Sequence, residues 1–263
     1  MAEKPAPCYN SYCGMQLDAL EAMDRSGLSA GDRQQYEQAL KYRKSLAKHQ
    51  KQKDKNIAFY YKKVDFDFTG PDGNFRAFSS SPYEVTDPFF ASGENASETY
   101  FFTTSGDAQG AQHSLSATVD YDIDATKGLG VVDSATLWKG YEAARFKDGT
   151  AATVRQDSRS IDYCHNNKRF HQYSTEFYIV YQCTFYERPR ITIPHERIVH
   201  ALEHELPIDI YLTSPKGPTQ HYILPPSFLA AHIRHIHDQT GLFADNVTAL
   251  PALQHVGSLM ETH

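Results

Sequence analysis

Long apolar runs are missing from this 263-residue chain. The longer stretches, such as Phe177-Tyr178-Ile179-Val180-Tyr181, are far too short to cross a bilayer as a helix. Several chemical signatures are missing too. There is no G-x-S-x-G nucleophile turn, no phosphate-cradling Walker loop and no zinc-type C-x-x-C. Gly128-Leu129-Gly130 lacks the third glycine and the strand–helix context of a dinucleotide loop. Ser45-Leu46-Ala47-Lys48 spells S-x-x-K without its S-D-N and K-T-G partners. Tryptophan occurs once and cysteine four times.

What is present points to a folded body. The chain is 40% hydrophobic and 22% charged, which excludes a disordered composition. Its 17 Tyr and 15 Phe favour strands. Four cysteines allow three pairings. The spacing favours Cys8–Cys13 and Cys164–Cys183, the second across a hairpin in which Ser160–Gln172 runs opposite Thr175–Glu187 around a turn near Tyr173-Ser174. Disulfides belong to oxidising compartments. The expected location is therefore extracytoplasmic: periplasm, cell surface or secreted. The start MAEKPAPC has no leader-like apolar run, so this location supposes a leader removed ahead of residue 1. Asn95-Ala96-Ser97 and Asn246-Val247-Thr248 match glycosylation sequons.

The pattern of apolar residues divides the chain into a helical arm (1–63), a β-rich α+β domain (64–240) and an irregular tail (241–263). Leu17, Leu20 and Met23 stand at helical spacing in 16–25. A longer helix runs from Ser29 or Ala30 to about Tyr60, with Ser29 a candidate N-cap. The period changes to two at Val64-Asp65-Phe66-Asp67-Phe68. Residues 79–98 read as a loop and 99–104 as a strand. Leu115, Ala117, Val119, Tyr121 and Ile123 alternate without a slip. Thr175–Thr184, apolar on both faces, reads as a central strand. Strands 191–193, 208–212 and 220–224 and helices 195–205 and 226–238 follow. Helices first, then mostly antiparallel strands with short helices, make an α+β fold.

His200-Ala201-Leu202-Glu203-His204 spells H-x-x-E-H, and in that respect resembles the inverted-motif metallopeptidases. That resemblance implies a third zinc ligand, a Glu far downstream in a larger chain, whereas only 59 residues follow His204. On a helix, Ile198, Val199, Leu202 and Leu206 form the core face and both histidines point away from it. His232, His235 and His237 share a second helix but do not converge; His232 lies in or beside its apolar arc. Asp120, Asp122 and Asp124 spell D-x-D-x-D without the Gly and Glu of a calcium loop, and alternation puts all three on the wet face of a strand. No metal or cofactor is expected, and no catalytic residue is assigned.

The strongest pattern outside the core is electrostatic. Residues 41–63 carry nine Lys/Arg and one Asp, a balance of +8 in a chain of −6, which leaves −14 elsewhere. On a helix, Lys41, Lys44, Lys48, Lys51, Lys55 and Lys62 fall within roughly 80°, about 21 Å long from Lys41 to Lys55. Such a stripe suits another protein or an anionic surface. Nucleic acid is disfavoured by the acidic remainder. The sequence thus leads to a non-enzymatic extracytoplasmic binding or assembly protein. A hydrolase with dispersed His and acidic residues, or a polyanion binder through the stripe, stands as the alternative.

Overall fold

A computed structural model describes residues 5–70, 73–80, 100–107, 110–124, 138–170 and 177–243. Both sequons, Gly128–Gly130, the Tyr173-Ser174 turn and the tail from 244 lie outside them. The chain divides into two compact units, one running to Phe59 and one beginning at Tyr60.

In the first unit, α1 (Leu17–Ala22) precedes the long α2 (Ala30–Tyr61), whose last two residues belong to the second unit. Ser29 caps α2: its Oγ accepts the Asp32 N–H and donates to the Asp32 carboxylate. The first helix ends three residues short of the expected Arg25. The Asp24 carboxylate takes the Ser26 N–H and turns the backbone out of the helix. Leu20, Tyr36 and Ala39 form the core of this unit. Tyr36 donates its hydroxyl proton to the Leu20 carbonyl, so the buried ring keeps its polar end satisfied. The Cys8–Cys13 disulfide packs against the same cluster.

The second unit is mainly antiparallel sheet. A seven-stranded sheet holds β1 (Val64–Phe68), β2 (Phe75–Ser80), β3 (Tyr100–Asp107), β4 (Gly110–Ala117), β5 (Val119–Asp124), β8 (Val154–Phe170) and β9 (Phe177–Ile193). A four-stranded sheet holds β6 (Ala143–Phe146), β7 (Ala151–Ala152), β10 (Ile208–Thr213) and β11 (Gln220–Leu224), in the order β11-β10-β6-β7. Helices α3 (His195–Glu203) and α4 (Pro226–Thr240) complete it. The molecule is thus α+β, with helices leading into an antiparallel body. Ser79 and Ser80, expected in a loop, extend β2.

The alternating stretch from Leu115 to Ile123 spans both β4 and β5. Both pair with one edge of β9 in a single register, His113↔Ile193 through Asp124↔Gln182. The ladder breaks at Thr118, beside the Ala117 position that faces Pro189; a proline has no N–H to give it. Strand β8 takes the other edge of β9. That hairpin carries the Cys164–Cys183 disulfide. From Cys164 to Phe170 the pairing follows the expected register. Nearer the body two bulges, at Ile161/Cys164 and Gln156/Ser158, shift it. Ser160 therefore faces Tyr186 and not Glu187. Strand β9 is central over 182–193. Its apolar run 177–181 lies beyond that stretch, where among the described residues only β8 pairs with it.

Helix α3 buries Ile198, Ala201 and Leu202. Leu206, expected on that face, is 50% exposed. The helix stops at Glu203, and Glu205 at φ 55° swings the chain away. Helix α4 ends on Gly241, whose φ of 72° allows its N–H to cap the His237 carbonyl. The expected tail begins differently: Leu242 and Phe243 pack on the cluster of Val64, Phe75, Ala77 and Ile236. Among the described residues, no helix is long and apolar enough to cross a membrane.

Candidate functional site

Where do the histidines go? Three of them, from three separate elements, meet inside the second unit. Alternation brings Ser79 on β2, Thr104 on β3 and His113 on β4 to the covered face of the large sheet, where all are buried. Thr104 and His113 are direct cross-strand partners. His232 of α4 and His195, the first residue of α3, meet them from above. The result is one line of contacts. Ser79 Oγ lies 2.7 Å from His232 Nδ1, and His232 Nε2 lies 2.9 Å from Thr104 Oγ1. Thr104 Oγ1 lies 2.8 Å from His113 Nδ1, and His113 Nε2 lies 3.0 Å from His195 Nδ1. Phe102 packs on His232 and His113, and Phe243 on His113 and His195.

Proton counting shows what this line can do. Each neutral imidazole carries one N–H and each hydroxyl one O–H. Every contact then holds one proton if all donors point from Ser79 towards His195, or if all point the other way. Transfer along all four contacts would leave an alkoxide at Ser79 and an imidazolium at His195, so the two neutral polarities interconvert only with a proton gained at one end and lost at the other. A net gain of a proton is another matter. Burial pushes His232 well below the ordinary histidine range, with His113 and His235 adding repulsion. Burial, aided by His195, takes His113 down to about 3. His195 is lowered by burial, with Glu196 opposing. The interior holds these rings neutral.

His200, His204, His235 and His237 lie where the helical pattern puts them. His200 and His204 are exposed, with ring centroids 4.3 Å apart on the outside of α3. His235 and His237 flank the apolar arc of α4, where each donates from Nδ1 to a backbone carbonyl, of Tyr61 and Leu242 respectively. Asp122 is exposed and accepts from Thr184. Among the described residues, no three His, Cys, Asp or Glu side chains are grouped to hold a metal ion.

A second polar centre surrounds Glu187 of β9, which is fully buried. Its Oε1 accepts from the Tyr121 hydroxyl at 2.7 Å and the Gly140 N–H at 3.0 Å. Its Oε2 accepts from the Tyr141 N–H and from Arg159 Nε, both at 3.3 Å. Gly140, at φ 74°, lets two successive amides converge on one carboxylate. Arg159 also reaches Glu142 at 2.6 Å. Burial raises the Tyr121 and Tyr141 hydroxyls, with Glu187 contributing, and lowers the Lys139 ammonium. Above this centre lies an open cleft of about 520 Å³ walled by Trp138, Arg159, Glu142 and the Ser214–Lys216 loop.

Sequence reasoning passed over Ser79, Thr104, His113 and Glu187. Their signal was a polar residue standing in an apolar phase. His113 continues the Leu115–Tyr121 alternation backwards, and Glu187 lies in phase with Cys183, Phe185, Ile191 and Ile193. The six stripe lysines are exposed, all on α2 except Lys62 just past its end, and Lys44 pairs with Glu21. The four cysteines form the two disulfides and none is free. Comparison with protein-family models, with curated proteins and with solved structures finds no match.

Proposed function

We propose that this chain is a non-enzymatic, extracytoplasmic binding or assembly protein that makes contact through the far end of the β8–β9 hairpin. The observation that carries this reading is the run of ladder pairs beyond the disulfide. From Asn166↔Tyr181 to Phe170↔Phe177, among the described residues, β8 and β9 pair only with each other. The sequence there is rich in apolar, aromatic and basic residues, and a two-stranded ribbon gives them no sheet of their own to complete. Strand β8 is an edge strand along its whole length among those residues, the kind of element that accepts a partner. The disulfides support an oxidising compartment. The exposed lysines of α2 add a second surface suited to an anionic partner.

A photo-reactive phenylalanine analogue in place of Tyr178 tests the contact. A discrete cross-linked species is expected from that position and none from Thr213 on β10. No product from 178 would dispose of the reading. Four titratable thiols in protein isolated from its own cells without reductant would overturn the compartment.

One observation favours a hydrolase instead: Ser79 Oγ stands 2.7 Å from an imidazole nitrogen. Its 2% exposure weighs against attack on a substrate. Covalent labelling of Ser79 by a fluorophosphonate would reverse that judgement.

A further inference from the structure

We propose that the line Ser79–His232–Thr104–His113–His195 is an acid-operated latch, whose outer end, the His195 start of α3 together with Phe243, lifts from the sheet on acidification. This goes beyond the binding role and does not depend on it.

The geometry carries the argument. Four buried polar side chains from four separate elements, joined by the half-buried His195, replace apolar packing in the core, a costly choice that only a satisfied network sustains. One excess proton can be hydrogen-bonded. An imidazolium at His113 would donate to Thr104 on one side and His195 on the other, with Thr104 turned to His232 and His232 to Ser79. A second proton costs a hydrogen bond: it either sets two imidazole N–H groups against each other between His113 and His195 or turns the Thr104 O–H off the line. Nor, among the described residues, does a carboxylate bond to His232 or His113 to offset the charge. His232 is faced by Ser79 from β2, by Thr104 and the Phe102 ring from β3, by His113 from β4 and by His235 from its own helix. His113 is faced by Thr104, Phe102, His195 and Phe243. Glu196 supports a charge on His195 alone.

His195 is also the only one of the three rings that is not fully buried, so protons arrive there. Parting His195 and Phe243 from His113 breaks one hydrogen bond and two ring contacts, those of His113 with each of them. Parting His232 would lift α4, with eight buried residues. The outer contact therefore opens first.

The direction with pH follows from the shifts. A histidine held below its unfolded value of 6.5 contributes nothing adverse above that pH. Below it, the open form takes up a proton that the closed form refuses, so closure weakens as pH falls from 6.5 towards about 3, the value of buried His113. One such histidine gives at most a tenfold change per pH unit.

Hydrogen exchange of the intact chain tests this, corrected for the intrinsic pH dependence. Amides of Ile198–Leu202 are expected to lose at least tenfold protection between pH 7.5 and 5.0, while β3 and β4 keep theirs. His195→Gln, which still accepts a hydrogen bond but does not titrate, is expected to move that opening at least half a pH unit lower. His113→Asn serves as a second variant, and should flatten the profile. Equal protection of α3 at both pH values overturns the latch. So does simultaneous loss throughout the sheet, or an unchanged profile in His195→Gln.

Discussion

The buried Glu187 carboxylate accepts four hydrogen bonds from three separate segments. Its two oxygens tie β5, the Lys139–Tyr141 segment and β8 to β9. Replacing it with Gln keeps the volume but sets an NH₂ group against donors. It also leaves Arg159 with Glu142 alone. The expected loss is about 3 kcal/mol, the lower end for breaking a buried charge pair, because Arg159 is partly exposed. Urea unfolding checks it, and an unchanged midpoint would show the network to be decorative. Gly217 makes a second test. A Cβ there would come 2.7 Å from the Tyr141 hydroxyl and 2.8 Å from Lys139 Cδ. Gly217→Ala should cost about 1–3 kcal/mol as an overpacked site. It should also shift the emission of Trp138, the single indole of the chain, which shares the cleft wall with Lys139.

Helices and strands were largely readable from local pattern, because each buries one face against a single neighbouring layer. Strand β11 falls where expected, at 220–224, and α2 within a residue of its expected ends. What local pattern could not reach was the meeting of polar residues from distant strands. Ser79 and His232 are 153 residues apart in sequence, and nothing near either announces the other. Leu206 was misplaced for a related reason. The periodic arc assumed a helix to 205, while the chain turns at Glu205. The disulfide pairing was readable because the hairpin is local. Cys164 and Cys183 are 19 residues apart, and replacing both with Ser should cost about 3 kcal/mol by the loop-entropy relation. Amide exchange should then rise first on 165–170 and 177–182. Protection unchanged there would mean that the strands hold without the bond.

Charge is distributed unevenly over the molecule, with +8 on residues 41–63 and −14 on the remainder. The stripe lysines are exposed, so converting Lys48, Lys51 and Lys55 to Glu should leave thermal stability within about 0.5 kcal/mol. The same change should abolish low-salt retention on anionic vesicles if the stripe is a contact surface, and salt should weaken the wild-type retention in parallel. Retention identical in the two proteins would remove the stripe from the binding account.

The staple between Cys164 and Cys183 has one more implication. On its body side the two bulges each leave an extra residue on β8, so the strands there already tolerate mismatch. On its outer side the pairs run without interruption. A residue inserted between 156 and 163 can be swallowed as a wider bulge, since the covalent bond restores the count. One inserted between 165 and 170 would turn each later side chain of β8 to the opposite face. Length is negotiable on the near side of the bond and fixed beyond it.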